Sequence, residues 1–123
     1  MTAWLLVLLA ATPLDGGSTA PTVTGSLDKE IIRSVIRRNT RAIAYCYERT
    51  LVKKPDANGK IAVTFTISKE GNVSSAEAKE DTIGDGEMQQ CVVSRVKMMT
   101  FPAPKGGGIV IVTYPFVFSQ AGQ

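Results

Sequence analysis

Lys60-Ile61-Ala62-Val63-Thr64-Phe65-Thr66-Ile67-Ser68 decides the fold. Ile61, Val63, Phe65 and Ile67 alternate with small or polar residues, and a period of two puts one set on each face of a strand. One face is apolar and the other wet, the pattern of an antiparallel sheet covered on one side. Lys69-Glu70-Gly71-Asn72 follows at once and reads as a hairpin turn, with Gly71 supplying the positive φ. The returning strand runs from Val73 to Lys79. Its apolar set, Val73, Ala76 and Ala78, slips out of step between the first two members, as a bulge would make it.

Upstream, residues 27–53 carry Ile32, Ile36, Asn39, Ile43, Cys46 and Thr50 at steps of four and three, with Val35 beside them. That is the buried stripe of one long helix. Ser26 is placed to cap it, Asp28 and Glu30 suit its positive end, and Pro55 stops it. Downstream, Glu87–Met99 predicts a second helix with Asp85 as its cap. Met88, Cys91, Val92, Arg95, Val96 and Met99 mark one side of it. The run from Phe101 to Gly108 turns the chain, and Ile109–Phe118 is a last strand whose Pro115 suits an edge or a strand end. The order is α-β-β-α-β. The expected fold is α+β in two layers: a three-stranded antiparallel sheet in the order 2-1-3, covered on one face by two helices. In that arrangement the last strand lies along an open edge.

The chain has 123 residues, 44% hydrophobic and 20% charged, enough for one domain and too apolar for a disordered one. It has no histidine, which removes the commonest general base and the commonest metal ligand together. With two cysteines and no histidine, a nitrogen–sulfur zinc site is not expected either. No catalytic residue, metal or cofactor is expected. Cys46 and Cys91 both fall on apolar helix stripes and are not a Cys-x-x-Cys pair, so the expectation is a structural disulfide tying the two helices in an oxidising compartment, with a redox pair as the alternative. The acids Glu77, Glu80, Asp81, Asp85 and Glu87 read as capping and solvated groups, and Tyr45, Tyr47 and Glu48 as structural.

The formal charge is +3, but residues 28–54 hold eight basic against three acidic side chains. Arg33, Arg37 and Arg41 fall at i, i+4 and i+8, with Arg38 adjacent, and form a basic stripe. The plain reading is a solvated helix face. The functional one is contact with anionic lipid headgroups, a cell-wall polymer or an acidic partner. Nucleic acid is not expected, since the interleaved aromatics of a stacking platform are missing.

Ala3–Ala11 is an apolar run of nine residues. A bilayer span needs about 20 residues, whereas a secretory leader needs roughly 7–15 followed by small ones, here Ala10 and Ala11. The expected organisation is a cleaved signal over 1–11, a flexible linker over 12–25, the domain over 26–118 and a tail over 119–123. An uncleaved apolar tail is the alternative, because no Lys or Arg precedes the run.

Three motifs stand in order: Ile43-Ala44-Tyr45-Cys46-Tyr47-Glu48-Arg49; Gly59 to Ile67 with Gly71-Asn72-Val73; and Phe101-Pro102-Ala103-Pro104-Lys105-Gly106-Gly107-Gly108 with Tyr114-Pro115-Phe116-Val117-Phe118. Together they resemble the AgmX/PglI C-terminal domain, a branch of the TonB C-terminal superfamily of energy transducers. The resemblance runs from about Gly25 to Phe118. It implies a periplasmic protein of a Gram-negative cell envelope, a partner-binding module associated with gliding motility, and uptake of a partner's peptide by the last strand. The stretch where such pairing would run before the proline is Ile109, Val110, Ile111, Val112 and Thr113. With no membrane anchor or proline-rich reach in view, the expectation is a freestanding adaptor that binds an envelope protein or peptide. The alternative is an assembly protein that makes a homodimer through the same edge.

Overall fold

The structure is a computed structural model that describes residues 4–8 and 20–121. The central hairpin is β3 (Gly59–Ile67) and β4 (Val73–Asp81), paired antiparallel. The register shifts twice, between Thr66 and Ile67 and between Ala62 and Val63, so Ser74 and Lys79 stand as extra residues in β4. The first of these is the slip visible in the spacing of Val73 and Ala76. On the other side of β3 runs β5 (Val110–Ala121), in unbroken antiparallel register from Gly59↔Phe118 to Ile67↔Val110.

The sheet does not stop there, and this corrects the three-stranded expectation. Two further segments pair antiparallel with β5 on the side away from β3. They are β1 (Trp4–Leu8), opposite Ala121 to Val117, and β2 (Thr22–Thr24), opposite Thr113 to Ile111. Among the described residues the sheet has five strands, with the path β1-β5-β3-β4 and β2 beside β5. The last strand is therefore interior along most of its length. Pro115, in register with Ala62, falls within Tyr114–Phe116, where neither β1 nor β2 pairs. A missing N–H donor is tolerated at a stretch that is locally an edge.

Among the described residues there are three α-helices where two were expected. α1 (Lys29–Arg38) is capped by Asp28, whose carboxylate accepts the Glu30 N–H at 2.7 Å. The helical run breaks at Asn39 (φ −105°, ψ 9°) and resumes as α2 (Thr40–Lys53). Asn39 Nδ2 donates to the Val35 carbonyl at 2.8 Å and Thr40 Oγ1 to that of Ile36 at 3.4 Å. Side chains that compete for backbone carbonyls in this way bend a helix. α3 (Gly86–Lys97) starts at Asp85, which accepts the Met88 N–H at 2.8 Å.

All three helices lie on one face of the sheet. Ile61, Val63, Phe65 and Ile67 of β3 and Val110, Val112, Tyr114, Phe116 and Phe118 of β5 meet Ile32, Ile36, Ile43, Tyr47, Met88 and Val92 in a single buried cluster. Each such side chain contributes roughly 1.5–3 kcal/mol on burial. The other face carries Thr64, Thr66, Thr113 and Ile111, with Thr64 Oγ1 and Thr113 Oγ1 hydrogen-bonded at 2.8 Å. No helix packs on this face among the described residues. β4 forms the far rim, and its two bulges and the charged Glu77, Lys79 and Glu80 suit an edge that resists further pairing.

Candidate functional site

The stretch expected to bind a partner is the N-terminal end of β5. Ile109 precedes the strand and is exposed, Val110 and Val112 are buried against the helices, and Ile111 and Thr113 face the open side of the sheet. Their outer backbone is not free. Thr22, Val23 and Thr24 lie along Thr113, Val112 and Ile111. The main chain just after β2 is tied to the loop ahead of β5, where the Lys105 N–H donates to the Ser26 carbonyl at 3.3 Å. An edge expected to be open is held by a three-residue strand from within the expected linker. Thr-Val-Thr does alternate, between Pro21 and Gly25, but three residues are too few for a period to be recognised.

The C-terminal half of the same edge is covered by Trp4–Leu8, from the run read as a leader. The small residues Ala10 and Ala11 and most of the expected linker lie outside the described residues. Ser119 to Ala121, expected as tail, belong to β5.

The basic stripe is divided by the break at Asn39. Arg33 and Arg37 share one flank of α1, while Arg41 stands on α2. Arg37, Arg38 and Arg41 are exposed. Arg33 is mostly covered, and its Nη1 lies 2.6 Å from Glu30 Oε2.

Cys46 of α2 and Cys91 of α3 are joined, with Cα atoms 5.7 Å apart. Beside the bond is a cavity of about 130 Å³ lined by Cys46, Arg49, Thr50, Lys53, Glu87, Met88 and Cys91. Its polar rim is an ion cluster. Lys53 pairs with Glu87, and the Nζ atoms of Lys53 and Lys54 lie 3.6 Å and 3.4 Å from Asp85 Oδ2. The hydrogen bond from Lys53 holds the Glu87 carboxyl below its ordinary range and raises the lysine in turn. Tyr47 is fully buried, donates its hydroxyl to the Ala57 carbonyl at 2.5 Å and packs tilted on Phe118. Tyr45 is half exposed under the Arg49 guanidinium. Among the described residues no cluster of three His, Cys, Asp or Glu is placed to hold a metal, and no helix is long and apolar enough to cross a membrane.

Asp85 joins this cluster to the start of α3. The Met88 N–H holds its carboxyl below the usual range and, against the opposing effect of burial, Lys53 and Lys54 do the same. A carboxylate depressed by folding contributes stability above its unfolded pKa, about 3.9, and loses it as the pH falls through the folded value. Asp85→Ala should therefore cost about 1 kcal/mol at neutral pH. Urea unfolding of the two proteins should show that difference shrinking below about pH 4.

Comparison with protein-family models, with curated proteins and with solved structures finds no match to this chain.

Proposed function

We propose that the protein is a non-catalytic interaction module of the bacterial periplasm, a TonB-like or gliding-motility-associated adaptor. It takes an extended segment of an envelope protein on the outer edge of β5. The observation that carries this reading is β2. A segment of the chain itself, Thr22–Thr24, pairs as an added strand on Ile111–Thr113, so that backbone accepts strand addition. A clip of three residues makes few ladder bonds, and a longer partner strand in the same register can displace it. The disulfide suits an oxidising compartment. The Cys-Tyr-Glu and Phe-Pro-x-Pro-x-Gly-Gly motifs support the family resemblance.

The clip is an internal competitor, so the apparent affinity for a partner is reduced by the fraction of molecules in which the edge is open. Thr24, opposite Ile111, stands in a hydrogen-bonded pair, so Thr24→Pro removes a ladder donor from β2 without touching β5. Partner recovery from crosslinked envelopes should rise roughly fivefold, the equivalent of ~1 kcal/mol of lost competition. Recovery unchanged from wild type, with the disulfide and near-UV spectrum intact, would refute strand addition at this edge.

A second reading is self-assembly through the same edge, and β1 favours it. Between β1 and β2 the chain has residues 9–21, whereas on β5 the corresponding interval is only Tyr114–Phe116. A connection that exceeds the span it bridges can deliver Trp4–Leu8 to the β5 of a second molecule, with the same contacts made in trans. Light scattering separates the two readings: a stable dimer abolished by Leu6→Pro supports exchange, and a monomer supports a foreign partner.

A further inference from the structure

The bond between Cys46 and Cys91 fixes α2 against α3, and beside it the two helices leave an open groove of about 490 Å³. Arg49 lines it from α2, and Cys91, Ser94, Arg95 and Met98 line it from α3. Lys53 lies beyond Cys46 in α2 and pairs with Glu87, which lies ahead of Cys91, so the helices run antiparallel. Arg49, Glu87 and Cys91 also line the smaller cavity beside the disulfide, which makes the two spaces continuous. Their charge is uneven. Arg49, Lys53 and Arg95 stand against one acid, Glu87, and Lys53 already holds that acid. Neither Arg49 nor Arg95 forms an ion pair among the described residues. The Arg49 guanidinium lies over the Tyr45 ring, 5.8 Å from its centroid. A ring on one face of that planar group leaves the N–H donors round its edge available. Met98 is 72% exposed and Tyr45 about half exposed. Open apolar side chains are ordinary when scattered, but these two border the same basic groove.

We propose that the groove between α2 and α3 is a docking site for an acidic amphipathic helix of a partner protein. Apolar side chains of that helix seat on Met98 and Tyr45, and its carboxylates meet Arg49 and Arg95. Charge complementarity selects the occupant, because two arginines without acidic partners line a groove whose own acid is already paired. The planar fork of arginine matches a carboxylate with two parallel hydrogen bonds. A helix laid along the trough between two antiparallel helices is an ordinary helical packing. A lipid surface fits less well, since the exposed Glu48 and Glu87 stand among these bases and would face its anionic headgroups. The disulfide holds both flanks in place before the partner arrives, which lowers the ordering cost of binding. The groove lies in the helix layer and the outer edge of β5 in the sheet, so this site is independent of strand addition and either can fail alone.

The test uses the full oxidised chain and a fluorescent peptide of about 16 residues, ~24 Å long as a helix. The peptide is built from Glu, Ala and Leu, with its leucines at steps of three and four. The same peptide with Gln in place of every Glu is the control. Fluorescence anisotropy should show saturable binding of the acidic peptide and about tenfold weaker binding of the control. Arg49→Gln, at an exposed position, should weaken binding about threefold to fivefold, and Arg49→Gln with Arg95→Gln about tenfold. Met98→Ser removes the apolar seat and should cost about threefold. An intact disulfide and an unchanged near-UV spectrum establish that each variant is folded. The discriminating variant is Arg37→Gln with Arg38→Gln, which takes the same charge from α1 and leaves the groove whole. It should bind as wild type does. A loss there as large as in the double groove variant would mean diffuse attraction and overturn the proposal. An acidic peptide bound no more tightly than its neutral control would overturn it too. Phosphatidylglycerol vesicles that bind through Arg49, with no binding of the peptide, would assign the groove to a membrane surface and likewise overturn it.

Discussion

Replacing Cys46 and Cys91 with alanine together should lower the folding free energy by about 4 kcal/mol. The bond closes a loop of 45 residues. Chain entropy alone gives that magnitude, because the linked unfolded chain has fewer conformations to lose on folding. Domains of this size are stable by roughly 5–15 kcal/mol, so the loss is a large share of the total. The bond joins α2 to α3, and between those helices lie both strands of the β3–β4 hairpin. Without it, the hairpin and α3 must be ordered against α2 by packing alone. Urea unfolding of the double variant against the oxidised protein measures the difference. A loss under about 1 kcal/mol would mean that the unfolded chain is already compact around this loop.

Gly71→Ala should cost about 3 kcal/mol, a large effect for one methyl group. Gly71 turns the β3–β4 hairpin at φ +99°, and a Cβ there would stand 2.0 Å from the Phe101 carbonyl oxygen. That oxygen is backbone and cannot rotate away. The Phe101 N–H donates to the Gly71 carbonyl at 2.9 Å, and Asn72 bridges to Thr100 beside it. Phe101 is itself buried and stacks on Phe65 with centroids 5.7 Å apart. Relief of the clash would pull an aromatic ring out of the core. Gly84→Ala is the matched control, with a φ of +78° and nothing within 4 Å of the added atom. It should lose only the roughly 1–2 kcal/mol of a left-handed non-glycine residue. Equal losses at the two sites would show that backbone conformation, not the approach of Phe101, governs Gly71.

What could be read from the sequence followed from periods long enough to count. The alternation from Ile61 to Ile67 marks β3, and the Asp85 cap with its following apolar side marks α3. Cys46 and Cys91 meet because each lies on a stripe that faces the other helix. The break at Asn39 was hidden by the same kind of signal. Ile32, Ile36, Ile43 and Cys46 remain buried on both sides of it, so the steps of four and three run through the break undisturbed. Two competing hydrogen bonds, from Asn39 and Thr40, set the bend, and such bonds leave no periodic trace. The widened sheet was hidden for a different reason. β2 turns a single side chain, Val23, to the core, too little for a period, and its partner, Ile111–Thr113, lies at the far end of the chain. Tyr114 looked like one more core aromatic, because only its surroundings show a hydroxyl without a partner.

The pairing of both N-terminal segments with the final strand sets an order of events for a chain that emerges from its amino end. Trp4–Leu8 and Thr22–Thr24 have no ladder neighbour until residues 110–121 have been made and released. β3, midway along, likewise gains its second neighbour only then. Closure of the domain waits on the last dozen residues, and contacts between distant parts of a chain are the slow ones to form. Until that moment neither N-terminal segment has a strand to pair with, so the rim of the sheet beyond β5 is built from the two ends of the chain together.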